Sequence, residues 1–142
     1  SNAWIEDITV DDEGNPRYLM TYYPNGANDG FAKKDLYYSA WNGSSMLPAV
    51  KIHTAANKNI NTPSAVYSPL ASFYSSNPDK ITASKEVAGI WEIFSIEKDA
   101  QNNFIATAVT TGSTRDQWRP QTLGKGGIDE NIFWLDIIGA SL

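Results

Sequence analysis

Apolar residues fall in short alternating or continuous runs separated by clusters of Gly, Asn, Pro and Asp, and helical periodicity is nearly absent. The pattern predicts an all-β protein. A first strand is expected over Ile5 to Val10. The polar tract Asp11-Asp12-Glu13-Gly14-Asn15-Pro16 then suits a tight turn, and a return strand runs from Arg17 to Tyr23. Asp35 to Trp41 leads into Asn42-Gly43, the strongest short hairpin signal in the chain, with a partner strand continuing through Ala49 to His53. A second series follows: Ser64 to Tyr74, a turn at Asn77-Pro78-Asp79, Lys80 to Val87, Ile90 to Glu97, a polar turn over Lys98 to Asn103, and Phe104 to Thr110.

The two series look like a repeat. Asn15-Pro16 returns as Asn77-Pro78, and Tyr38-Ser39 returns as Phe94-Ser95, offsets of 62 and 56 residues. A third unit is expected from Arg119-Pro120 and the apolar strand Ile132 to Ile138, and it is incomplete at Leu142, so the chain reads as a piece of something longer. Ser1-Asn2-Ala3 has the form of a tag remnant; the units then span 4–56, 57–114 and 115–142. Four-stranded meanders of about 40–50 residues are how β-propeller blades look in sequence, whereas one β-sandwich or barrel of about eight to ten strands would use the same length.

Composition narrows the partners. The chain has 142 residues, 42% of them hydrophobic, which suits a folded domain. Sixteen acidic against eleven basic side chains leave a net charge of −5, so nucleic acid is not an expected partner. The absence of cysteine excludes disulfides, thiolate nucleophiles and Cys-ligated metals. No run of eighteen apolar residues marks a membrane-spanning helix, and no membrane partner is expected.

Asp11-Asp12-Glu13-Gly14-Asn15-Pro16-Arg17, followed by Lys34-Asp35-Leu36-Tyr37-Tyr38-Ser39-Ala40-Trp41-Asn42-Gly43, resembles the BNR-repeat (bacterial neuraminidase repeat) propeller proteins, whose pattern runs DxxGxP and then YYYARWNG. Ile90-Trp91-Glu92-Ile93-Phe94, Ala108 to Thr114 and Trp118-Arg119-Pro120 are similar to a later stretch of the same proteins. Lys34 stands where the family often has a His, and the family's Asp-box turn is degraded over Ser95 to Phe104. Members are mostly secreted or periplasmic seven-bladed propellers linked to polysaccharide degradation, with sialidase-like glycosidases and ulvan-lyase-type enzymes among their relatives. The resemblance implies antiparallel four-stranded blades, two full ones and the start of a third. It also implies a secreted or periplasmic glycan-active protein, a polysaccharide lyase or glycosidase on acidic polysaccharide, whose full site needs further blades. The alternative is a noncatalytic carbohydrate-binding or protein-interaction β-module, or a purely structural domain. No cofactor is implied, and incomplete stacks predict self-association through exposed blade faces.

A uronate lyase needs a group that neutralises the sugar carboxylate, a base and an acid, roles that suit Arg, His and Tyr. Arg119 is the candidate for gripping a carboxylate; its structural alternative is an ion pair with Asp116 or Asp136. His53 is the only histidine, and strand alternation puts it beside Lys51 on a solvated or edge face, opposite Val50 and Ile52. Tyr67 and Tyr74 are the first choices for a ligand-facing role, although most tyrosines are expected to pack. Asp11, Asp12 and Glu13 match an exposed turn better than a calcium loop, and no metal site is expected. Glu86, Glu92, Glu97 and Asp136 are carboxylates without an assigned role, Gly124 to Gly127 reads as a flexible loop, and the five tryptophans are expected mostly in the core.

Overall fold

Alternation sets which face of each strand is apolar, and burying those faces stacks the chain into layers. The computed structural model describes residues 3–22, 34–56, 71–74, 76–123 and 131–137, and among them there are ten strands and no helix. Strands β1 (Ala3–Val10), β2 (Pro16–Tyr22), β3 (Lys34–Ala40) and β4 (Val50–Ala56) form an antiparallel sheet in the order β1-β2-β3-β4. Strands β5 (Ala71–Tyr74), β6 (Asn77–Val87), β7 (Ile90–Lys98) and β8 (Phe104–Ala108) repeat that meander as a second sheet. Strands β9 (Asp116–Leu123) and β10 (Asn131–Ile137) form a two-stranded ribbon.

The core lies between the two four-stranded sheets. Leu19, Leu36, Tyr38 and Ala40 of the first meet Ala71, Phe73, Ile81, Ala83 and Ile96 of the second, with Ile52 and Phe104 packed at the margins. Leu19, Ile81 and Ile96 are wholly buried, and each such side chain contributes about 1.5–3 kcal/mol. The other face of the second sheet is more polar and carries Ser72, Thr82, Ser84 and Ile93; it meets the ribbon, where Trp91 and Trp118 pack edge to face at 5.8 Å.

The first strand of each unit touches the first strand of the next. Phe73 N–H of β5 donates to Asp7 Oδ2 of β1 at 2.8 Å. One layer on, the Ser72 hydroxyl of β5 donates to the Pro120 carbonyl of β9 at 3.1 Å, and Thr122 returns a bond to the Phe73 carbonyl at 2.9 Å. These bonds fix the height of each layer against its neighbour, which apolar contact alone does not do.

One turn is used twice. In Asp11–Asn15 and again in Asp99–Asn103, the Asp carboxylate accepts N–H groups from two and four residues on, and the fourth residue takes a left-handed conformation, Gly14 at φ 83° and Asn102 at φ 63°. The backbone bonds from Asn15 and Asn103 outweigh desolvation and hold both carboxyls below their ordinary pKa. The β6–β7 connection is a two-residue hairpin closed by Val87 and Ile90, with Ala88 at φ 52° and Gly89 at φ 93°. Such a turn needs positive φ at both central residues, and Ala88 bears the strain.

A charged joint bridges the sheets at the end carrying the Asp11 and Asp99 turns. Arg17 pairs with Asp11 at 3.1 Å and donates to the Tyr38 hydroxyl at 2.8 Å; that hydroxyl donates to Asp79 Oδ1 at 2.9 Å, and Lys98 meets the same oxygen at 2.9 Å. Lys98 also lies 4.8 Å from the Tyr38 ring centroid. Burial, together with Asp79, pushes the Tyr38 pKa well up. Burial of Asp79 would raise its own pKa, but bonds from Lys98 and Tyr38 bring it down.

Several expectations shift. Asn42-Gly43 does not close a two-residue hairpin: Asn42 Oδ1 accepts from Ser44 and Ser45 N–H, the bridge is Trp41–Met46, and β4 begins only at Val50. Asn77-Pro78-Asp79 belongs to β6, where Pro78 is accommodated because the pairing jumps from Phe73–Ile81 to Tyr74–Asn77. The residues 64–70 and Ile138 lie outside the described residues. Only Trp91 and Trp118 are buried tryptophans, whereas Trp4 and Trp134 are largely exposed.

Tyr38→Phe removes one hydroxyl that serves three charged partners, so a loss of about 1–2 kcal/mol in urea unfolding is expected, with an unchanged m-value. Ala88→Gly, which relieves the left-handed strain, is expected to raise stability by roughly 0.5–1 kcal/mol in the same assay; a destabilised variant would refute the turn assignment.

Candidate functional site between the sheets

The end of the stack opposite the Asp11 and Asp99 turns gathers ionisable groups that burial normally disfavours. Lys34 opens β3 with no exposed surface, its Nζ 5.8 Å from the Trp91 ring centroid across the sheet junction. Burial lowers its pKa to about 8, and the negative charge of Glu6 opposes the shift. Glu6 stands at the irregularity in β1, where the pairing steps from Ile5–Met20 to Asp7–Leu19.

His53 also faces the junction, contrary to the alternation expected from sequence. The pairing steps from Tyr37–Lys51 to Leu36–His53, leaving Ile52 as an extra residue, and this bulge turns the imidazole inward. His53 is 7% exposed, its ring lies 5.7 Å from that of Phe94, and its Nε2 is buried without a hydrogen-bond partner. Burial first, then the positive charges of Lys85 and Lys51, lower its pKa to about 4, so the ring is neutral at physiological pH. Lys85 lies 5.3 Å from the Phe94 ring centroid. Lys51 pairs with Asp35 at 2.7 Å, and Thr54 donates to the same carboxylate oxygen at 2.9 Å.

Glu92, at the start of β7, is 4% exposed and fully engaged. Ser113 donates both its N–H and its hydroxyl to the carboxylate at 2.7 Å, and the Thr110 hydroxyl donates to it as well. Desolvation would raise its pKa, but these donors outweigh it and hold Glu92 ionised. Its structural effect is to pin the segment after β8, since Thr110 Oγ1 also accepts from Ile93 N–H at 2.9 Å.

The other sequence candidates are distributed elsewhere. Arg119 lies in β9, its side chain outside the described set. Of its two suggested ion-pair partners, Asp136 meets Arg115 at 4.0 Å and Asp116 accepts from Trp91 N–H at 3.0 Å. Tyr74 is buried in β5, its hydroxyl 3.5 Å from Ser95 Oγ and Lys80 4.8 Å from its ring centroid, so it packs within its own sheet. Tyr67 and Gly124 to Gly127 lie outside the described residues. Asp11 and Glu13 spend their oxygens on the turn and on Asn15. Lys85 was not singled out from sequence, because its place beside Phe94 and His53 depends on how two sheets stack.

A separate apolar groove of about 270 Å³ lies on the outer face of the first sheet, lined by Ala3, Met20, Tyr22, Tyr37 and Ala49. Tyr22 and Tyr37 meet edge to face at 6.0 Å. Comparison with protein-family models, curated proteins and solved structures found no match.

The depressed histidine pKa has a definite sign. Between about pH 4 and 6.5 the unfolded chain binds a proton at His53 that the folded chain does not, so stability rises with pH across that window and falls on acidification. Relative to His53→Gln, the unsubstituted protein is expected to lose about 3 kcal/mol more on moving from pH 7 to pH 4, read by urea unfolding at each pH. Parallel pH profiles for the two proteins would contradict a buried neutral imidazole.

Proposed function

We propose that the chain is part of a secreted β-propeller that handles acidic polysaccharide, with the two four-stranded sheets as successive blades and the ribbon as the start of a third. The repeated step between first strands, from Asp7 to Phe73 and from Ser72 to Pro120, supports this reading because it places β1, β5 and β9 successively side by side, as blades around an axis require. The observation that carries the ligand class is a lysine set beside an aromatic ring at the His53 end of the sheets. Lys34 lies at the sheet junction, and Lys51 and Lys85 both act electrostatically on His53 at the same end. Lys51 is neutralised by Asp35 and Lys34 is buried near Glu6, so Lys85, beside the Phe94 ring, is the cation offered to a carboxylated or sulfated glycan.

Binding without turnover is favoured by the protonation states of His53 and Glu92. General acid–base catalysis works best with groups poised near the working pH, whereas His53 is a weak base and Glu92 is held as a carboxylate. Neither is an acid at neutral pH. A lyase or glycosidase reaction would need its acid from Lys34, whose pKa is lowered to about 8, or from other residues.

Affinity electrophoresis in gels containing a polyuronate is the direct test. Retardation by the polyuronate, absent with a neutral glucan and weakened by salt, is the expected result, and Lys85→Gln should weaken binding by roughly threefold to tenfold. Equal retardation by the neutral polymer, or none by either, would overturn the reading. Appearance of the ultraviolet absorbance of an unsaturated uronate would move the assignment from binding to lyase chemistry.

A further inference from the structure

Asn42-Gly43 reads from sequence as a hairpin turn, but the loop built around it arranges an amide for attack by its own backbone. Asn42, Gly43, Ser44 and Ser45 are exposed, and the Trp41–Met46 bridge closes the loop behind them. Asn42 N–H donates to the Ser45 carbonyl at 3.0 Å. The Asn42 side chain folds forward along the Gly43–Ser44 peptide, where Oδ1 accepts from Ser44 N–H at 3.0 Å, Ser45 N–H at 2.9 Å and the Ser44 hydroxyl at 3.0 Å.

Three donors on one amide oxygen do more than shape a turn. They polarise the carbonyl and are already in place for the negative oxygen that forms when a nucleophile adds to Asn42 Cγ. The nearest nucleophile is the next backbone nitrogen. Gly43 N–H and Asn42 Nδ2 have no hydrogen-bond partners among the described residues, so neither the attacking nor the departing nitrogen has a bond to give up. Gly43 sits at φ 97°, and a Cβ built on it would meet nothing within 4 Å, so the approach is open.

Other described asparagines lack one of these parts. Asn77 Oδ1 accepts from Asp79 N–H in a similar way, but Pro78 follows it and has no N–H, and Asn15 also precedes a proline. Asn103 precedes the bulky Phe104, and its Nδ2 is tied to Asp99 at 3.2 Å.

We propose that Asn42-Gly43 is a self-modifying site, at which the folded loop promotes closure of the Asn42 side chain onto the Gly43 nitrogen, followed by hydrolysis. Gly43 N gives its proton to water and bonds to Asn42 Cγ; the Cγ–Nδ2 bond breaks, and Nδ2 leaves as ammonia after taking up a proton. The cyclic imide then adds one water. Opening at Cγ restores the backbone with an aspartate side chain, and opening at the other carbonyl routes the backbone through the side chain as isoaspartate. One water is consumed and one ammonia released for each negative charge gained, with no oxidant or reductant involved.

The test is prolonged incubation of the folded protein at neutral pH beside the same protein unfolded in urea, followed by peptide mapping with electron-transfer fragmentation, which separates isoaspartate from aspartate. Conversion at Asn42 is expected to be at least ~3-fold faster in the folded protein than in the unfolded chain. Ser44→Ala removes the hydroxyl donor and leaves both N–H donors; with folding checked by circular dichroism, it should slow the folded reaction by roughly 2-fold to 10-fold and leave the unfolded rate unchanged. An Asn42 that stays intact, or reacts no faster folded than unfolded, overturns the proposal. So does a folded rate that Ser44→Ala leaves unchanged, since the donors on Oδ1 would then play no part.

Discussion

The structure depends on a hydrogen-bonded step between the first strands of successive layers. Apolar burial between the sheets supplies most of the stabilisation, but it is non-directional and tolerates sliding. Asp7 on Phe73 N–H and Ser72 on the Pro120 carbonyl remove that freedom, because each leaves a backbone group unsatisfied if the layers slip. With the height fixed, Leu19, Leu36 and Tyr38 fall opposite Phe73, Ile81 and Ile96, and the small residues Ala71 and Ala83 let the sheets approach. The Arg17–Tyr38–Asp79–Lys98 joint then locks the same interface at its end.

The two ends of the interface between the four-stranded sheets solve the burial of charge in opposite ways. At the joint, each charge meets its opposite, and the resulting arrangement is a structural fastening in which Arg17 Nε alone of the guanidinium's buried donors goes without a partner. At the other end, His53 is buried with its charged form disfavoured and its Nε2 without a bond, while Glu6 supports the charge of buried Lys34. Polar groups held in that state cost stability, which is why such places are where ligand recognition is sought. Glu92 lies at the same end but belongs to the first type, since Ser113 and Thr110 satisfy it.

Much of the strand pattern was legible because alternation and turn chemistry are local. The Asp11–Asn15 turn followed from an Asp that can accept successive N–H groups and a Gly that tolerates left-handed backbone. The face of a residue was harder to read wherever a bulge intervened. His53 was placed beside Lys51 by strict alternation, and one extra residue, Ile52, reversed it. The Tyr38-Ser39 match to Phe94-Ser95 fails without any bulge in β3 or β7. Tyr38 faces the second sheet and Phe94 faces the first, so aligning them equates opposite faces.

An all-β chain of meandering strands, the residues able to turn, and an acidic molecule without thiol chemistry could be read along the chain, because these follow from neighbouring residues and from composition. Tertiary structure decided which charges are buried together, that Lys85 and Phe94 come from a different sheet to meet His53, and that Trp4 and Trp134 are left outside while Trp91 and Trp118 are enclosed. Those outcomes depend on the register and stacking of strands tens of residues apart, where a shift of one position exchanges the two faces of a strand.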